Sequence, residues 1–417
     1  MIPKSCRLFG LDYANAELKL LVAELLGAER HHEECNARVR FAGPVCGRKQ
    51  ETIMSEPQAT SAAQKPSMQA FETTLSQSAS DVASFDAGDQ SALYRMRNFL
   101  HHNPAAVPLI VLVLSLVVFG VTLGGKFFSA FALTLILQQV AITGIVAAAQ
   151  TLVILTAGID LSVGAIMVLS SVVMGQFTFR YGLPAELSIV IGFATGALCG
   201  FINGFLVAYV RLPPFIVTLG MWQVILATNF LYSANETIRA QEITAQAPIL
   251  QFFGQSIRVG GAVFTYGVIA MVLLVLLLWY VLNHTAWGRH VYAIGDDPEA
   301  AKLSGVSVKP ILMSVYVLAG IICALAGWAM IGRLGSVSPT AGQFANIESI
   351  TAVVIGGISL FGGRGSILGT MFGALIVGVF SLGLRLWGTD PQWTYLLIGV
   401  LIIVAVAIDQ WIRKAAA

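Results

Sequence analysis

From residue 104 onward the chain is a series of apolar stretches separated by short polar interruptions. A helix needs about 20 apolar residues to cross the hydrocarbon core of a membrane. Ten stretches approach that length, at 106–123, 129–148, 161–179, 187–210, 214–233, 262–282, 311–332, 346–362, 366–385 and 394–412. The sequence therefore predicts an all-α integral membrane protein of about ten transmembrane helices. We take residues 101–414 as its membrane domain, and the short apolar piece 150–157 need not cross by itself.

The charged residues are unevenly distributed along the chain. Residues 1–100 contain 23 of the Lys, Arg, Asp and Glu side chains, and the remaining 317 residues contain the other 23. Charged residues make up 11% of the whole chain, against roughly 25% in a soluble domain. The larger region is therefore predicted to be surrounded by lipid. No basic block is present, so nothing indicates binding to nucleic acid.

The polar N-terminal region divides into two parts. Residues 54–100 are rich in Ser, Ala, Gln and Thr without periodicity, which predicts a disordered cytoplasmic tail. Because Met54 is a plausible natural start, residues 1–53 are either an over-extended or disordered segment or a short regulatory helix at the membrane surface.

Positive charges predict the orientation of the spans. One side of a ten-helix arrangement receives most of them, namely Arg95, Arg97, Arg211, Arg289, Lys302, Lys309, Arg413 and Lys414. Cytoplasmic loops carry the excess of Lys and Arg. Both termini are therefore predicted to be cytoplasmic, with the loop 234–261 on the opposite side.

The stretch Gly158–Gly164 (GIDLSVG) interrupts an apolar run with two glycines and a carboxylate. A carboxylate at membrane depth is costly unless it finds a partner or a water-lined cavity. Asp160 has two compatible roles. It can accept hydrogen bonds from the backbone of Ser162 or Val163, and the broken helix, with Ser162, can line a permeation pathway.

The stretch that begins with Pro213 and Pro214 predicts a helix start after a cytoplasmic turn. Polar and aromatic residues follow on that helix, at Thr218, Trp222, Gln223 and Asn229. Hydroxyl partners beside an aromatic ring suit a sugar. Hydrogen bonding between packed helices explains any one of these residues equally well.

The polar loop 284–310 carries the signature of a short capped helix. Asp297 is the predicted cap, Pro298 the first residue, Glu299 lies in the first turn and Gly305 ends the helix. A capped helix on the cytoplasmic side is either a docking element or an ordered connector, and long ordered loops tend to be functional.

The stretch Gly356–Gly365 (GGISLFGGRG) predicts a second broken helix or a sharp cytoplasmic turn. It lacks the spacing of a phosphate-binding loop, which is absent from the whole sequence. Glu348 is the other acidic residue near a span and either faces the pathway or caps its helix. We find no cysteine or histidine spacing typical of a metal site, and no catalytic constellation or cofactor motif. The sequence thus predicts a transport protein rather than an enzyme.

Together these four stretches resemble the permease subunits of bacterial ABC importers for monosaccharides of the ribose, xylose and fructose type. The resemblance rests on Gly158–Gly164, Leu212–Gly220, Gly288–Val306 and Gly356–Gly369, in this order and spacing. It implies a homodimeric permease in the bacterial inner membrane, in contact with lipid. It also implies a periplasmic sugar-binding protein and a cytoplasmic ATP-hydrolysing subunit as partners. The resemblance assigns ATPase coupling to the segment with Asp297, Glu299, Ala300, Ala301 and Gly305.

Three functions remain open at this point. The favoured one is the membrane subunit of an ATP-driven importer, with fructose or ribose as substrate. The second is a permease for branched-chain amino acids or another small solute. The third is a self-sufficient secondary transporter, which a relay of membrane acidic residues would indicate. Asp160 and Glu348 are nearly alone, which disfavours the third.

Overall fold

A computed structural model describes residues 105–259 and 261–416. The predictions for residues 1–53 and 54–100, including Arg95 and Arg97, lie outside this part of the chain. Everything below concerns the described residues.

The described chain is almost entirely helical. Its helices are α1 (Ala106–Leu123), α2 (Ala130–Leu155), α3 (Val163–Phe179), α4 (Ala185–Ala208), α5 (Pro214–Ser233), α6 (Ala240–Gln246), α7 (Tyr266–His284), α8 (Ala286–Asp296), α9 (Pro298–Leu303), α10 (Val308–Leu334), α11 (Ala345–Ile355), α12 (Ile367–Leu386) and α13 (Pro391–Ala416). Short 3₁₀ helices occupy Gly124–Lys126 and Pro248–Gly254. Two short antiparallel strands, β1 (Ser256–Val259) and β2 (Ala262–Thr265), form a hairpin.

The predicted all-α membrane fold is confirmed. Within the described residues, seven helices are long and apolar enough to cross a membrane, namely α1, α2, α4, α5, α7, α10 and α12. The other three predicted spans correspond to shorter apolar helices: α3, α11 and the part of α13 from Gln392 to Ile403. Both predicted breaks are present, because residues 156–162 and the stretch after Ile355 leave the helical conformation.

Two predicted boundaries are wrong. The second helix does not stop at 148 but runs on to Leu155, so the piece 150–157 is mostly the last part of α2. Nothing in that piece interrupts a helix before Thr156. Conversely, the predicted span 346–362 ends at Ile355, because Gly357 adopts a left-handed conformation with φ of 78°.

Helix α2 forms the centre of the described part. Every residue from Val140 to Leu155 is buried, and the helix packs against α10, α12 and α11. Helix α1, in contrast, leaves most of its apolar side chains exposed, as expected of a helix that faces lipid.

Helices α4 and α10 form the most extensive helix pair of the described residues. Glycines repeat every fourth residue on α4, at Gly192, Gly196, Gly200 and Gly204. An added Cβ at Gly196 would overlap the carbonyl of Gly320, and one at Gly200 would overlap the carbonyl of Tyr316. Small residues at this spacing allow membrane helices to approach closely.

The connections outside the spans are ordered. Residues between α5 and α7 hold α6, the 3₁₀ turn and the hairpin, and the backbone of Ile238 pairs with that of Val337. The polar loop 284–310 contains two helices, α8 and α9, where the sequence predicted only one. Thr285 starts α8 by accepting from Gly288 N at 3.2 Å, a cap signal that the prediction overlooked.

Candidate functional site

The segment between α2 and α3, residues 156–162, is a non-helical stretch among buried residues, and we call it the broken segment. Ala157 turns the chain with a left-handed φ of 60°. Gly158 follows, where an added Cβ would lie 2.8 Å from the hydroxyl oxygen of Tyr316. Backbone of this kind is tolerated at membrane depth only where protein or a cavity surrounds it.

Asp160 is held by a chain of hydrogen bonds inside this segment. Its side chain is 2% exposed. Oδ1 accepts from the backbone N–H of Ser162 at 2.7 Å and from Ser162 Oγ at 2.6 Å. Asn203 on α4 donates from Nδ2 to Ser162 Oγ at 2.9 Å. The predicted backbone acceptor role of Asp160 is therefore confirmed for Ser162, and the network fastens the segment to α4.

Helix α5 is fastened to the same segment by Thr218. Its hydroxyl lies 2.9 Å from the carbonyl oxygens of Ile159 and Pro214, and its single proton is available to either. Pro213 and Pro214 start this helix as the sequence predicted. A shift of the broken segment would therefore displace the first turns of α5.

A small cavity lies between α3, α5 and the segment that joins α10 to α11. Its volume is about 30 Å³. It is lined by Gly164, Ala165, Val168, Trp222, Leu226, Asn229, Pro339, Ala341, Gly342, Gln343 and Asn346. Because Gly342 and Gln343 are exposed, the cavity reaches the surface of the chain.

Two asparagines hold the walls of this cavity together. Asn229 Nδ2 donates to the carbonyl oxygen of Pro339 at 2.8 Å. Asn346 Oδ1 accepts from the backbone N–H of Gly164 at 2.5 Å. The side-chain oxygen of Asn229, Oδ1, is buried and has no hydrogen-bond partner among the described residues. The cavity thus combines an aromatic ring with mostly apolar walls.

The predicted pathway residues divide into two groups. Trp222 and Asn229 line the cavity, and Gln223 is exposed next to Trp222 on α5. The remaining residues do not line it, and each is engaged in the hydrogen bonds of its own neighbourhood: Asp160, Ser162, Thr218 and Glu348.

Glu348 lies in the first turn of α11, half-buried. Thr143 on α2 donates to its Oε2 at 3.0 Å. The bond therefore links α2 and α11, which also pack against each other.

Sequence reasoning missed the third wall of the cavity. The sequence patterns above singled out neither Asn346 nor the segment with Pro339 and Gly342. The available signal was the cluster of turn-forming residues directly after α10 (Ser338, Pro339, Thr340 and Gly342), which is typical of an ordered loop.

The capped helix predicted in the polar loop is confirmed. Asp297 Oδ1 accepts from Glu299 N at 2.9 Å and from Ala300 N at 3.1 Å, and Pro298 is the first residue of α9. Gly305 follows the helix with φ of 86°. Asp297, Glu299 and Ala300 are exposed, whereas Ala301 is buried.

Leu303 at the end of α9 is 89% exposed. The helix belongs to the polar loop and not to an apolar span, so lipid does not explain this side chain. A large apolar side chain that is this exposed on an ordered helix of a polar loop is accessible to a partner. Sequence reasoning named its neighbours but not Leu303.

Three stretches far apart in the sequence meet where α2 ends. Gly363 N donates to the carbonyl oxygen of Leu155 at 3.0 Å. An added Cβ at Gly295 would overlap that same carbonyl, and one at Gly362 would come within 2.7 Å of the backbone nitrogen of Ala157 and the carbonyl oxygen of Gly295. We call this contact of Leu155, Gly295 and Gly363 the glycine junction.

Tyr292 on α8 reinforces the glycine junction. Its hydroxyl donates to the carbonyl oxygen of Gly365 at 3.0 Å. Burial raises the pKa of Tyr292, which keeps the phenol protonated and able to donate. Helix α8 is thereby tied to the glycine-rich loop by a side chain as well as by close backbone contact.

Comparisons with known proteins agree on one family. A family model described as "branched-chain amino acid transport system / permease component" matches residues 132–406. The fructose import permease protein FrcC of Rhizobium meliloti is 77% identical over 358 residues, which cover 86% of this chain and 99% of that protein.

More distant relatives are also named as sugar permeases. The ribose import permease protein RbsC of Bacillus subtilis is 38% identical over 275 residues, which cover 66% of this chain and 83% of that protein. The galactose/methyl galactoside import permease protein MglC of Escherichia coli is 33% identical over 314 residues, which cover 72% of this chain and 92% of that protein. No solved structure matches the chain.

Proposed function

The chain belongs to the permease subunits of bacterial ABC importers, and from this membership we propose that it carries fructose across the inner membrane. It is a multi-pass membrane protein and a transport component that works with ATP-binding and substrate-binding partners. The observation that carries the fructose proposal is the 77% identity to a fructose import permease along 99% of that relative.

We propose that the sugar passes along the face of α5 that presents Trp222, Gln223 and the cavity. Gln223 lies near the middle of this membrane-spanning helix and is exposed. An amide in contact with lipid would lack hydrogen-bond partners, so polar groups in spans face protein or a water-filled path. The other predicted pathway residues hold the helices around that path in place through the bonds described above, namely Asp160, Ser162, Thr218 and Glu348.

A cavity of about 30 Å³ cannot enclose a hexose. One chain therefore supplies one wall of the path, and a second copy supplies the other. This supports a permease homodimer with lipid around its outer helices.

We further propose that the partner ATP-binding subunit hydrolyses ATP and docks on the segment with Asp297, Glu299, Ala300, Ala301 and Gly305. The exposed Leu303 supports this surface. The glycine junction supports a mechanical link from there to the broken segment, and Thr218 extends that link to α5. With this surface and both termini in the cytoplasm, the connection between α5 and α7 faces the periplasm and the sugar-binding partner.

The test is transport by the assembled complex. The permease is reconstituted in vesicles with its ATP-binding and substrate-binding partners, and uptake of radiolabelled fructose is measured with and without ATP. We expect ATP-dependent uptake of fructose, which excess unlabelled fructose inhibits and leucine does not. Inhibition by leucine instead of sugars would favour the branched-chain amino acid alternative that the family description names.

A second arm tests the secondary-transporter alternative. The chain reconstituted alone should take up no sugar. ATP-independent accumulation driven by an ion gradient would contradict the importer function.

A further inference from the structure

Helix α4 carries a column of three aromatic rings near its C-terminal end. Phe201, Phe205 and Tyr209 follow one another at intervals of four residues, and all three side chains are exposed. The ring centroids of Phe201 and Phe205 are 6.3 Å apart with an interplanar angle of 20°, and those of Phe205 and Tyr209 are 5.7 Å apart with an angle of 16°. Four residues of helix rise about 6 Å, so the column extends about 12 Å into the membrane from the end of α4.

Lys309 lies at the outer end of this column. Its Nζ is 5.5 Å from the centroid of the Tyr209 ring. Helix α10 begins at Val308 and packs along α4, so its first turn brings the ammonium group to the last ring. A ring attracts a cation at this distance, but the attraction leaves the positive charge in place. Within the described residues, no carboxylate forms an ion pair with Lys309.

Arg211 adds a second cation at the same end of α4. It adopts a left-handed conformation with φ of 66°, and Leu212 N donates to the carbonyl oxygen of Leu206 at 3.1 Å. Glycine is the usual residue at such a helix ending, and other residues with this φ are uncommon. The Arg211 side chain is exposed and forms no ion pair or hydrogen bond with the residues that the structure describes.

The depth of these residues favours a lipid as their partner. Rings exposed on a membrane-spanning helix meet acyl chains, and residues at its end meet the headgroups. Basic residues where membrane helices come together bind the headgroups of anionic lipids. A soluble partner cannot reach Phe201 within the membrane. A second copy in symmetric contact would place its own Lys309 and Arg211 against these two cations.

We propose that the end of α4 is a binding site for one anionic phospholipid. Its phosphate lies between Lys309 and Arg211, and one acyl chain packs along the aromatic column. The site shares no residue with the cavity between α3 and α5, and it does not depend on which substrate the permease carries. The bound lipid covers the joint between α4 and α10, next to the polar loop 284–310.

The test compares two lipids that differ in headgroup charge. Native mass spectrometry of the detergent-solubilised full chain measures the Kd for dioleoyl phosphatidylglycerol, which is anionic, and for dioleoyl phosphatidylcholine, which has no net charge. Each basic residue at the site should strengthen binding of the anionic lipid about fivefold, so the wild type should prefer it about twenty-fivefold. Lys309→Gln and Arg211→Asn should each lower this preference about fivefold. Asparagine tolerates the left-handed conformation at position 211.

Matched variants separate the site from the general membrane surface. Lys302→Gln removes another exposed lysine of the polar loop and should leave the preference unchanged. Phe205→Ala interrupts the column and should weaken the binding of both lipids about threefold, with the preference retained. Phe131→Ala removes an exposed ring at the start of α2, at the opposite end of the membrane from Tyr209, and should change neither Kd.

Four outcomes would overturn the site. An equal loss of preference in Lys302→Gln and Lys309→Gln would mean general attraction to positive charge. Displacement of the lipid by inorganic phosphate at equal concentration, or unchanged Kd values in Phe205→Ala, would remove the aromatic column from binding. If both cation variants keep the wild-type preference while the association of two permease copies weakens, this face is an interface between copies instead. A wild-type protein that binds both lipids equally would leave no anionic lipid site at all.

Discussion

The backbone N–H of Gly363 donates to the carbonyl oxygen of Leu155 at 3.0 Å. The bond satisfies a carbonyl at the end of α2, which has no partner within its own helix. It also brings the glycine-rich loop to the start of the broken segment, where Gly295 of α8 contacts both. A movement imposed on α8 and α9 would therefore reach the broken segment through direct backbone contact.

Replacing Gly295 should uncouple the importer. A side chain at this position would overlap the Leu155 carbonyl and the Gly363 nitrogen, so Gly295→Val separates α8 from the junction. We expect uptake by the complex to fall at least about tenfold, while ATP hydrolysis continues. Uptake and hydrolysis are measured on the same vesicles.

The matched control for this prediction is Gly125→Val. An added Cβ at Gly125 meets no atom within 4 Å, so the same substitution should leave uptake unchanged there. Wild-type uptake by a correctly inserted Gly295→Val protein would contradict the role of the glycine junction.

Leu303 should anchor the ATP-binding partner. Because its side chain is 89% exposed on helix α9 of the polar loop, Leu303→Ser should remove a contact with the partner without disturbing the packing of the permease itself. Truncating a central apolar anchor of an interface costs about 2 kcal/mol or more, so the Kd for the ATP-binding subunit should rise more than about tenfold. Binding of the detergent-solubilised permease to the immobilised subunit measures it.

Leu231→Ser provides the comparison for Leu303. Leu231 is 83% exposed but lies on the membrane-spanning α5, so its replacement should leave the Kd unchanged. Equal Kd values for the wild type and Leu303→Ser would remove Leu303 from the docking surface.

Much of the fold could be predicted because lipid imposes simple rules. The limits of α1 and α5 agree with those predicted from apolar length and from Pro213 and Pro214. The rule fails where a helix need not match the bilayer. Helix α2 has 26 residues because its end packs on protein, and α11 has only 11 because Gly356 and Gly357 end it inside an apolar stretch.

The site could be predicted only in part, because its contacts join distant stretches. Trp222 and Asn229 lie on one helix, so their spacing in the sequence was enough to place them in the same candidate site. The bond between Asn346 and Gly164 depends on how α11 meets α3. The glycine junction depends on two glycines from separate stretches, Gly295 and Gly363, that leave room for backbone. Residue type signals a break in a helix but not the partner that the break meets.

Asp297 should determine the order of helix α9. The six-residue helix is too short to be stable alone, and the Asp297 side chain satisfies two of its first N–H groups. Asp297→Ala should cost about 1 kcal/mol and accelerate amide hydrogen exchange at Glu299 and Ala300 about fivefold. Asp297→Asn retains an acceptor oxygen and should exchange like the wild type, whereas fast exchange in both variants would assign the effect to charge and not to capping.

Ser162 should be the weak point of the network around Asp160. Its hydroxyl accepts from Asn203 and donates to Asp160, so Ser162→Ala leaves a buried amide and a buried carboxyl without that partner. An unsatisfied buried polar group costs about 1–3 kcal/mol, which should lower the Tm of the detergent-solubilised protein by several degrees. Ser171→Ala is the control, since Ser171 is equally buried but bonds only to Val168 O of its own helix at 2.7 Å.

A double substitution tests whether Ser162 and Asn203 act as one unit. If Ser162 connects Asn203 to Asp160, Asn203→Leu should lower the Tm less in the Ser162→Ala background than in the wild type, because the bond it would break is already absent. Additive losses of Tm in the double variant would mean that the two side chains stabilise the broken segment independently.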